Sequence, residues 1–295
     1  MVTALPRPVQ IKLEQTLAQW HQWRTDVPLA GKPVPIEVMG QGLSNYSVRV
    51  ASEQQYVVRI DGVSPAQLGL NRQIEWRALN NAHAAGLAPA PRYLNPELGS
   101  LVCDYLPPDD DQSQATADLA ELLRGIHALP ALHQRLDIKE RINRYEHLAD
   151  QHNAEIWQDI RIVSAQIHSI LTELPALQEP LVCCHNDLLQ DNRIVSAGKL
   201  WAVDWEYCAM GSYWFDLAAL CCGDAIDEQN TFQLLCCYLQ REPGQLDMQK
   251  FTANCCLYRY LEILWFAAQN KWQESGEDYR ERAKALHSAL AARSL

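Results

Sequence analysis

Residues 185–192 read His-Asn-Asp-Leu-Leu-Gln-Asp-Asn, and residues 203–207 read Val-Asp-Trp-Glu-Tyr. Together they have the form H-x-D-x-x-x-x-N, followed by an apolar residue and a second aspartate. Phosphoryl transfer needs a group that orients the attacking hydroxyl, oxygen ligands for Mg²⁺, and cations on the phosphates. The pattern therefore predicts that Asp187 accepts the hydroxyl proton, while Asn192 and Asp204 coordinate magnesium through oxygen. The first motif alone arises too often by chance to identify a phosphoryl-transfer site. The second aspartate, which follows an apolar residue, supports that interpretation.

The chain before this motif is predicted to be rich in strands. We expect first a helix at residues 10–23, a strand at 33–38 and a glycine loop at 40–45. Two strands at 46–50 and 56–60, joined by a tight turn, should follow. A further helix is predicted from Ser64, which caps it ahead of a proline, to about Ala85, where Gly86 stops it. Short extended segments follow around residues 92–94 and 100–105.

A linker is predicted at residues 106–111, Leu-Pro-Pro-Asp-Asp-Asp, beyond which apolar residues recur at helical spacing. The predicted helices cover residues 117–129, 139–153, 154–174, 213–222, 228–240, 247–270 and 277–292. An extended segment at 181–184 and a hairpin of 193–196 and 199–203 interrupt them. We therefore expect an α+β, bilobal fold. Residues 1–106 would form an N-terminal lobe with an antiparallel sheet and one key helix, and residues 107–295 a larger, mainly helical lobe.

The motif resembles the catalytic core of the choline/ethanolamine kinase, thiamine kinase and aminoglycoside phosphotransferase group. These are small-molecule kinases with a protein-kinase-like fold, and the similarity extends along most of the chain. Residues 40–45, Gly-Gln-Gly-Leu-Ser-Asn, resemble the phosphate-covering loop of the group. Residues 56–60 resemble its third strand, and residues 101–107 resemble the hinge whose backbone holds adenine. The resemblance implies ATP and Mg²⁺ as cofactors and a nucleotide-binding N-terminal lobe.

The resemblance also implies roles for individual residues. Nucleotide binding is assigned to Gly40, Gly42, Ser44, Asn45, Arg59, Glu75, Asp104, Tyr105 and Leu106. Arg59 stands where protein kinases carry lysine, and Glu75 occupies the place of its acidic partner. The two loop glycines could instead belong to an ordinary hairpin turn, and Arg59 and Glu75 could be solvated surface residues. Asp216 is implied to brace the catalytic loop, and His127, on an apolar helix, is interpreted as a core histidine.

The acceptor is predicted to be small, because eleven residues separate Asp204 from Asp216 and no A-P-E segment follows to hold a peptide. Aromatic faces and carboxylates commonly hold organic cations. Acceptor binding is therefore assigned to Glu206, Tyr207, Glu262 and Trp265, of which Tyr207 and Trp265 match pocket aromatics of choline kinases. Core packing is the alternative for these two aromatic residues, and contact with a second magnesium is the alternative for Glu206.

The choice of acceptor stays open. Leu189 and Gly223 stand where eukaryotic choline kinases carry a glutamine and an acid, and Glu262 replaces a pocket tryptophan. By contrast, the hinge, residues 204–207 and the segment 265–277 look similar to bacterial thiamine kinase. Thiamine and choline or ethanolamine are therefore kept level as acceptors. An antibiotic-modifying kinase and a non-catalytic, nucleotide-binding pseudokinase are the alternatives.

Composition limits the partners further. The chain has 36 acidic and 25 basic residues, a formal net charge of −11, which disfavours nucleic acid as a partner and favours a cationic substrate. Eight of the ten cysteines lie in adjacent pairs within apolar segments, and no zinc-ligand spacing occurs, so we expect reduced, packed thiols. The start of the chain has no signal-peptide pattern, and the most apolar stretch, 257–268, is too short to span a bilayer. A cytoplasmic protein without membrane contact is expected, and its oligomeric state is left open.

Overall fold

The computed structural model describes residues 5–41, 45–62, 69–152, 154–174, 180–269 and 279–293. The chain divides into two compact units. The first contains residues 1–114 and 191–208, and the second contains residues 115–190 and 209–295. The lobe boundary expected after residue 106 stays a prediction.

The first unit is built on a five-stranded antiparallel sheet with the strand order β1-β2-β3-β5-β4. Its elements are α1 (Arg7–Ala18), β1 (Val34–Gln41), β2 (Asn45–Ala51), β3 (Gln55–Asp61), α2 (Arg72–Ala84), β4 (Pro91–Asn95) and β5 (Ser100–Asp104). The strands expected from the alternating pattern are confirmed. Because side chains alternate across a strand, Tyr56, Val58 and Ile60 of β3 share the face that forms the hydrophobic core of this unit.

Helix α1 covers that core face of the sheet. It contributes Val9, Leu13 and Leu17, and Trp23 follows it into the same cluster. The prediction of a helix over 10–23 is correct in place but wrong in its bounds. Pro6 precedes the helix, where a proline needs no intrahelical N–H partner, so the helix starts earlier than predicted. Its end gives way to a 3₁₀ turn at Trp20–Gln22.

The prediction of one uninterrupted helix from Ser64 to about Ala85 is wrong. Ser64 itself lies outside the described residues, but residues 69–71 are not helical and Gly69 has a φ of +71°, which a continuous helix does not allow. Helix α2 therefore begins at Arg72. The side chain of Asn71 caps it by accepting two backbone N–H bonds of the first turn, at 2.9 and 3.2 Å. The predicted C-terminal end is confirmed.

The hairpin of β7 (Arg193–Ser196) and β8 (Lys199–Ala202) is confirmed and belongs to the first unit. Its two turn residues, 197 and 198, have φ values of +53° and +70°, as a two-residue hairpin turn requires. The carboxylate of Asp109 accepts both turn N–H groups, at 2.9 and 2.8 Å. The predicted linker therefore holds the hairpin, which is why residues up to 114 pack with it.

The second unit is mainly helical. Its elements are α3 (Thr116–His127), α4 (Ile138–His152), α5 (Ala154–Ile160), α6 (Ser164–Glu173), β6 (Val182–Cys184), β9 (Ala209–Gly211), α7 (Tyr213–Gly223), α8 (Glu228–Leu239), α9 (Gln245–Gln269) and α10 (Tyr279–Arg293). Strands β6 and β9 pair antiparallel. The single helix predicted over 154–174 is wrong, because a 3₁₀ turn at Arg161–Val163 divides it into α5 and α6.

Helices α4, α7, α9 and α10 share one hydrophobic core in this unit. Representative members are Ile142, Phe215, Leu264 and Leu286, all nearly inaccessible to solvent. The ten cysteines are free thiols, as expected. None of the described helices combines the length and the apolar composition that a bilayer crossing requires. The α+β fold with an N-terminal antiparallel sheet is confirmed, whereas the cytoplasmic location stays a prediction.

Candidate active site

A buried arginine on the central strand organises the site of the first unit. Arg59 lies on β3, on the face opposite the hydrophobic core, because its neighbours at 58 and 60 point into that core. Its guanidinium forms ion pairs with Glu75 of α2 at 2.6 Å and with Asp204, just after β8, at 2.5 Å. The predicted pair of Arg59 and Glu75 is therefore brought together, and the predicted metal ligand Asp204 joins it.

A second buried arginine extends this arrangement. Arg72, the first residue of α2, contacts Asp61 at 2.5 Å, Glu75 at 2.7 Å and Glu206 at 3.0 Å. The amide of Asn45 donates to the same oxygen of Glu206 at 2.9 Å. Glu206 is predicted to bind the substrate alcohol or a second magnesium. In the structure, its carboxylate accepts hydrogen bonds from Asn45 and Arg72. We call Arg59, Arg72, Asp61, Glu75, Asp204 and Glu206 the buried charge cluster.

The buried charge cluster holds four carboxylates and two guanidiniums, a formal excess of two negative charges. Asp204 is its most accessible member, with 31% of the side chain exposed, whereas the other five are nearly buried. Partial burial of its carboxylate raises the pKa of Asp204 above its usual value. The positive charge of Arg59 opposes this shift, and the negative charges of Glu206 and Glu75 add to it. A divalent cation next to Asp204 would relieve this excess of negative charge.

The hairpin places the predicted metal ligands at one of its ends. Asn192 immediately precedes β7, and the N–H of Val203 after β8 donates to the carbonyl of Asn192 at 2.9 Å. Asp204 follows with a φ of +58°, a conformation that is costly for an aspartate and typical of functional positions. A carboxylate and an amide are oxygen donors, the type that Mg²⁺ prefers, so the residues present fit that ion.

The predicted hinge for adenine is held by an arginine that the sequence reading missed. Arg92 of β4 donates twice to the carboxylate of Asp104 at 2.6 Å, twice to Asp26 at 2.5 and 2.9 Å, and once to the carbonyl of Arg24 at 3.1 Å. These bonds use all five guanidinium N–H groups. The side chain of Asp104 is therefore fixed on the sheet.

The hinge backbone offers one amide to a ligand. The N–H of Tyr105 donates to the carbonyl of Gln55 at 3.1 Å, and the Tyr105 ring lies 5.0 Å from the guanidinium of Arg49. Within the part of the chain that the structure describes, the N–H of Leu106 has no acceptor. Of the three predicted hinge residues, Leu106 can donate to a nucleotide base.

The predicted phosphate-covering loop is described only at its edges. Gly42 and Ser44 lie outside the described residues, and Gly40 is the residue of β1 that pairs with Ser47 of β2. Asn45 begins β2 and is buried against Glu206. Phosphate binding by this loop stays a prediction.

In the second unit, Asp216 of α7 braces the loop that carries Asp187. Its fully buried carboxylate accepts the backbone N–H of His185 at 2.9 Å and of Asn186 at 2.6 Å, and contacts His127 at 3.0 Å. Burial alone would raise the pKa of Asp216, but the hydrogen bond and charge of His127 hold it below its usual value. Asn186 has a φ of +64°, so the loop turns sharply just before Asp187. This geometry agrees with the bracing role that the resemblance implies.

His127 is a satisfied core histidine, as expected. Its second ring nitrogen lies 2.7 Å from the hydroxyl of Tyr238. His127, Cys184 and Asp216 bring three potential metal-ligand atoms within 4.8 Å of one another. Both nitrogens of His127 and both oxygens of Asp216 are already used in hydrogen bonds, so this group is structural.

The predicted acceptor residues are divided between the two units. Glu206 and Tyr207 lie on the 3₁₀ turn Trp205–Tyr207 of the first unit. Glu262 and Trp265 lie on α9 of the second unit, where Glu262 forms an ion pair with Arg282 of α10. Contact of any of these residues with an acceptor stays a prediction.

Two residues that depart from the choline kinase pattern contact each other. A Cβ atom on Gly223 would lie 2.3 Å from Cδ2 of Leu189 and 2.8 Å from the hydroxyl of Tyr258. The leucine therefore fills the space that a side chain at 223 would need. Leu189 lies two residues after Asp187 in the chain, so a displacement of Leu189 would also shift the loop that carries Asp187.

Replacing Gly223 by Ala is expected to displace Leu189 and lower kcat/KM for the acceptor by about 10-fold or more, because small misplacements near a reacting group are costly. Adding Leu189→Ala should restore part of the activity, although Tyr258 remains close. Steady-state kinetics of the single and double variants measure this coupling. Gly31→Ala, where a Cβ meets nothing within 4 Å, is the matched control. Independent, additive effects would contradict the steric link.

Replacing Arg59 by Met is expected to destabilise the protein by about 3–5 kcal/mol, because it leaves buried carboxylates without their cation. The control is Arg49→Met on β2, whose partner Glu37 is exposed, and it should cost about 1 kcal/mol or less. Urea unfolding followed by tryptophan fluorescence gives both values. Equal losses in the two variants would show that the burial of the Arg59 pair has no energetic consequence.

Comparison with known proteins identifies the family. Residues 35–235 match the model described as "Phosphotransferase enzyme family". Since this match covers more than half of the chain, the protein belongs to the phosphotransferase enzyme family. The membership confirms the predicted class of enzyme, a small-molecule kinase.

The relatives have low sequence identity but extensive coverage. Thiamine kinase of Salmonella typhimurium is 26% identical over 248 residues, 82% of this chain and 85% of the relative. The crystal structure of choline kinase LicA from Streptococcus pneumoniae has a TM-score of 0.70 and 24% identity, covering 88% of this chain and 94% of that one. A structure of LicA in complex with AMP has a TM-score of 0.75 and 22% identity, covering 98% of this chain and 100% of that one. These structural similarities confirm the predicted protein-kinase-like fold.

Proposed function

We propose that this protein is a Mg-ATP-dependent kinase that phosphorylates the hydroxyl of a small, cationic alcohol of the thiamine or choline/ethanolamine type. The observation that carries the proposal is the buried charge cluster. It contains the Arg59–Glu75 pair expected of a phosphate-binding site, and it presents the carboxylate of Asp204 at its exposed edge. The names of the relatives, a thiamine kinase and a choline kinase, support this class of acceptor.

The nucleotide would be held by residues of the first unit. The N–H of Leu106 is available to an acceptor nitrogen of the base, and Arg59 supplies a cation for the phosphates. Asn192 and Asp204 would hold Mg²⁺, which neutralises charge on the phosphate oxygens when bound. The structure of LicA with AMP supports a nucleotide as the ligand of this fold.

Asp187 would take up the proton of the substrate hydroxyl. The oxygen of that hydroxyl forms a bond to the γ-phosphorus of ATP, and the bond from that phosphorus to the oxygen that bridges it to the β-phosphorus breaks, releasing ADP. The hydroxyl proton passes to the carboxylate of Asp187. The backbone bonds from His185 and Asn186 to Asp216 fix the loop, so little reorganisation is needed during transfer.

A coupled assay of ADP release tests this proposal with thiamine, choline, ethanolamine and kanamycin, each with Mg²⁺ and with EDTA. We expect Mg²⁺-dependent turnover of thiamine or of choline and ethanolamine. Turnover of kanamycin alone would overturn the class of acceptor and favour an antibiotic-modifying kinase. If the wild type and Asp187→Asn gave the same ADP release with every acceptor, the protein would be a non-catalytic relative.

A further inference from the structure

An arginine of helix α10 lies next to Glu262, one of the two predicted acceptor-binding residues of the second unit. Arg282 of α10 forms a close ion pair with Glu262 of α9, and the two side chains are 24% and 19% exposed. The guanidinium carbon of Arg282 also lies 5.3 Å from the ring centroid of Phe266. That ring packs edge-to-face against Trp265, with centroids 5.0 Å apart. A carboxylate and an aromatic face, the two groups that usually recognise an organic cation, thus hold a cation of the protein itself.

Tyr258 relates this pair to the loop that carries Asp187, within the second unit. Tyr258 lies one helical turn before Glu262 on α9, so the two side chains share a face of the helix. The hydroxyl of Tyr258 lies 2.8 Å from the Cβ position of Gly223, and Leu189 reaches the same point. Asp187 is two residues from Leu189 in the chain.

The electrostatic surroundings of Tyr258 agree with this connection. Burial raises its pKa well above the usual value, and the negative charges of Glu262 and Asp187 add to the effect, whereas Arg282 opposes it. Tyr258 therefore lies within electrostatic reach of Asp187 and of the Glu262–Arg282 pair. The pair belongs to the surroundings of the catalytic carboxylate within this unit.

We infer that Arg282 is a specificity-determining residue that competes with the cationic group of the acceptor for Glu262 and Phe266. The inference rests on the proposed function, because it takes Glu262 as part of the acceptor site. A cationic acceptor must displace the guanidinium or share its carboxylate. Arg282 therefore weakens the binding of cations in general and acts most strongly against acceptors that carry several positive charges.

The test compares Arg282→Gln with Lys284→Gln. Lys284 is a matched control, because it is another cation of α10, is 71% exposed, and pairs with Glu281 on its own helix at 2.6 Å. We expect Arg282→Gln to lower KM for thiamine or choline by about 3- to 10-fold, the equivalent of one partly exposed ion pair and its ring contact. The KM for ATP should stay unchanged, and Lys284→Gln should behave as the wild type.

Two further measurements keep the inference testable. Calorimetric titration without nucleotide should show that Arg282→Gln binds thiamine, choline and kanamycin more tightly than the wild type does, with the largest gain in affinity for kanamycin. Arg282→Lys, which keeps the charge but stacks less well on a ring, should fall between wild type and Arg282→Gln. Thermal unfolding of each variant establishes that it is folded.

The outcomes separate this inference from the proposed function. If the wild type turns over thiamine or choline but Arg282→Gln has an unchanged or raised KM, Arg282 merely positions Glu262 and the inference is wrong. If the wild type neither binds nor phosphorylates any of these cations, the proposed function itself fails.

Discussion

Asp187→Asn is expected to lower kcat by about 10²- to 10⁴-fold, the usual contribution of a general base. Asparagine has nearly the shape of aspartate but cannot take up the hydroxyl proton. The loop should keep its conformation, because its backbone N–H groups at 185 and 186 bind Asp216 and not Asp187. The affinity for ATP should therefore change by less than about twofold. Steady-state kinetics and nucleotide titration measure the two quantities separately.

The matched control for this variant is Asp191→Asn. Asp191 is an exposed acid four residues later in the same segment, so its replacement makes the same change in charge. We expect it to keep most of the activity. If both variants lost activity to the same extent, the effect would come from local charge, and Asp187 would not be the proton acceptor.

Asp204→Asn is expected to weaken Mg²⁺-dependent nucleotide binding by about 100-fold or more. Residues that only support a metal ligand already contribute about 10- to 100-fold to metal affinity, and a direct ligand should contribute more. The variant should fold, because Arg59 keeps its ion pair with Glu75. Fluorescence titration with ATP in the presence of Mg²⁺ and of EDTA measures the ratio of the two affinities. Normal Mg-ATP affinity in this variant would refute the role of Asp204.

Asp61→Asn separates the loss of a ligand from the loss of a charge. Asp61 belongs to the same buried charge cluster but faces Arg72, with its oxygens 2.5 and 3.3 Å from the guanidinium. The substitution removes the same negative charge, yet the ratio of affinities with and without Mg²⁺ should stay close to that of the wild type. An equal fall in that ratio would mean that the charge of the cluster, and not coordination by Asp204, binds the cation.

The elements that sequence predicts best are those set by neighbouring residues. The hairpin β7–β8 follows from a two-residue turn, Ala197-Gly198, with the positive φ values that such a turn needs. The start of α2 at Arg72 does not follow from the sequence alone, because the capping signal at Ser64 precedes Asn71 and predicts one continuous helix. The non-helical backbone at residues 69–71 shows that α2 has a start of its own.

The contacts that sequence does not predict join residues far apart in the chain. Arg72 precedes Glu75 by one helical turn, a local signal, but its bond to Glu206 crosses 134 positions. Likewise, the pairing of Glu262 with Arg282 depends on how α9 packs against α10. No local pattern reveals which buried carboxylate an arginine will meet, because tertiary packing brings them together.

The five hydrogen bonds of Arg92 have a practical consequence for anyone who trims this protein. A fragment cut to the family match, residues 35–235, would remove Asp26 and the carbonyl of Arg24, three of the five acceptors of that guanidinium. It would also remove α1 and uncover the apolar face of the sheet. Such a fragment should aggregate when expressed, because it exposes a large apolar surface. The segment that matches the family is therefore shorter than the segment that the first unit needs in order to fold.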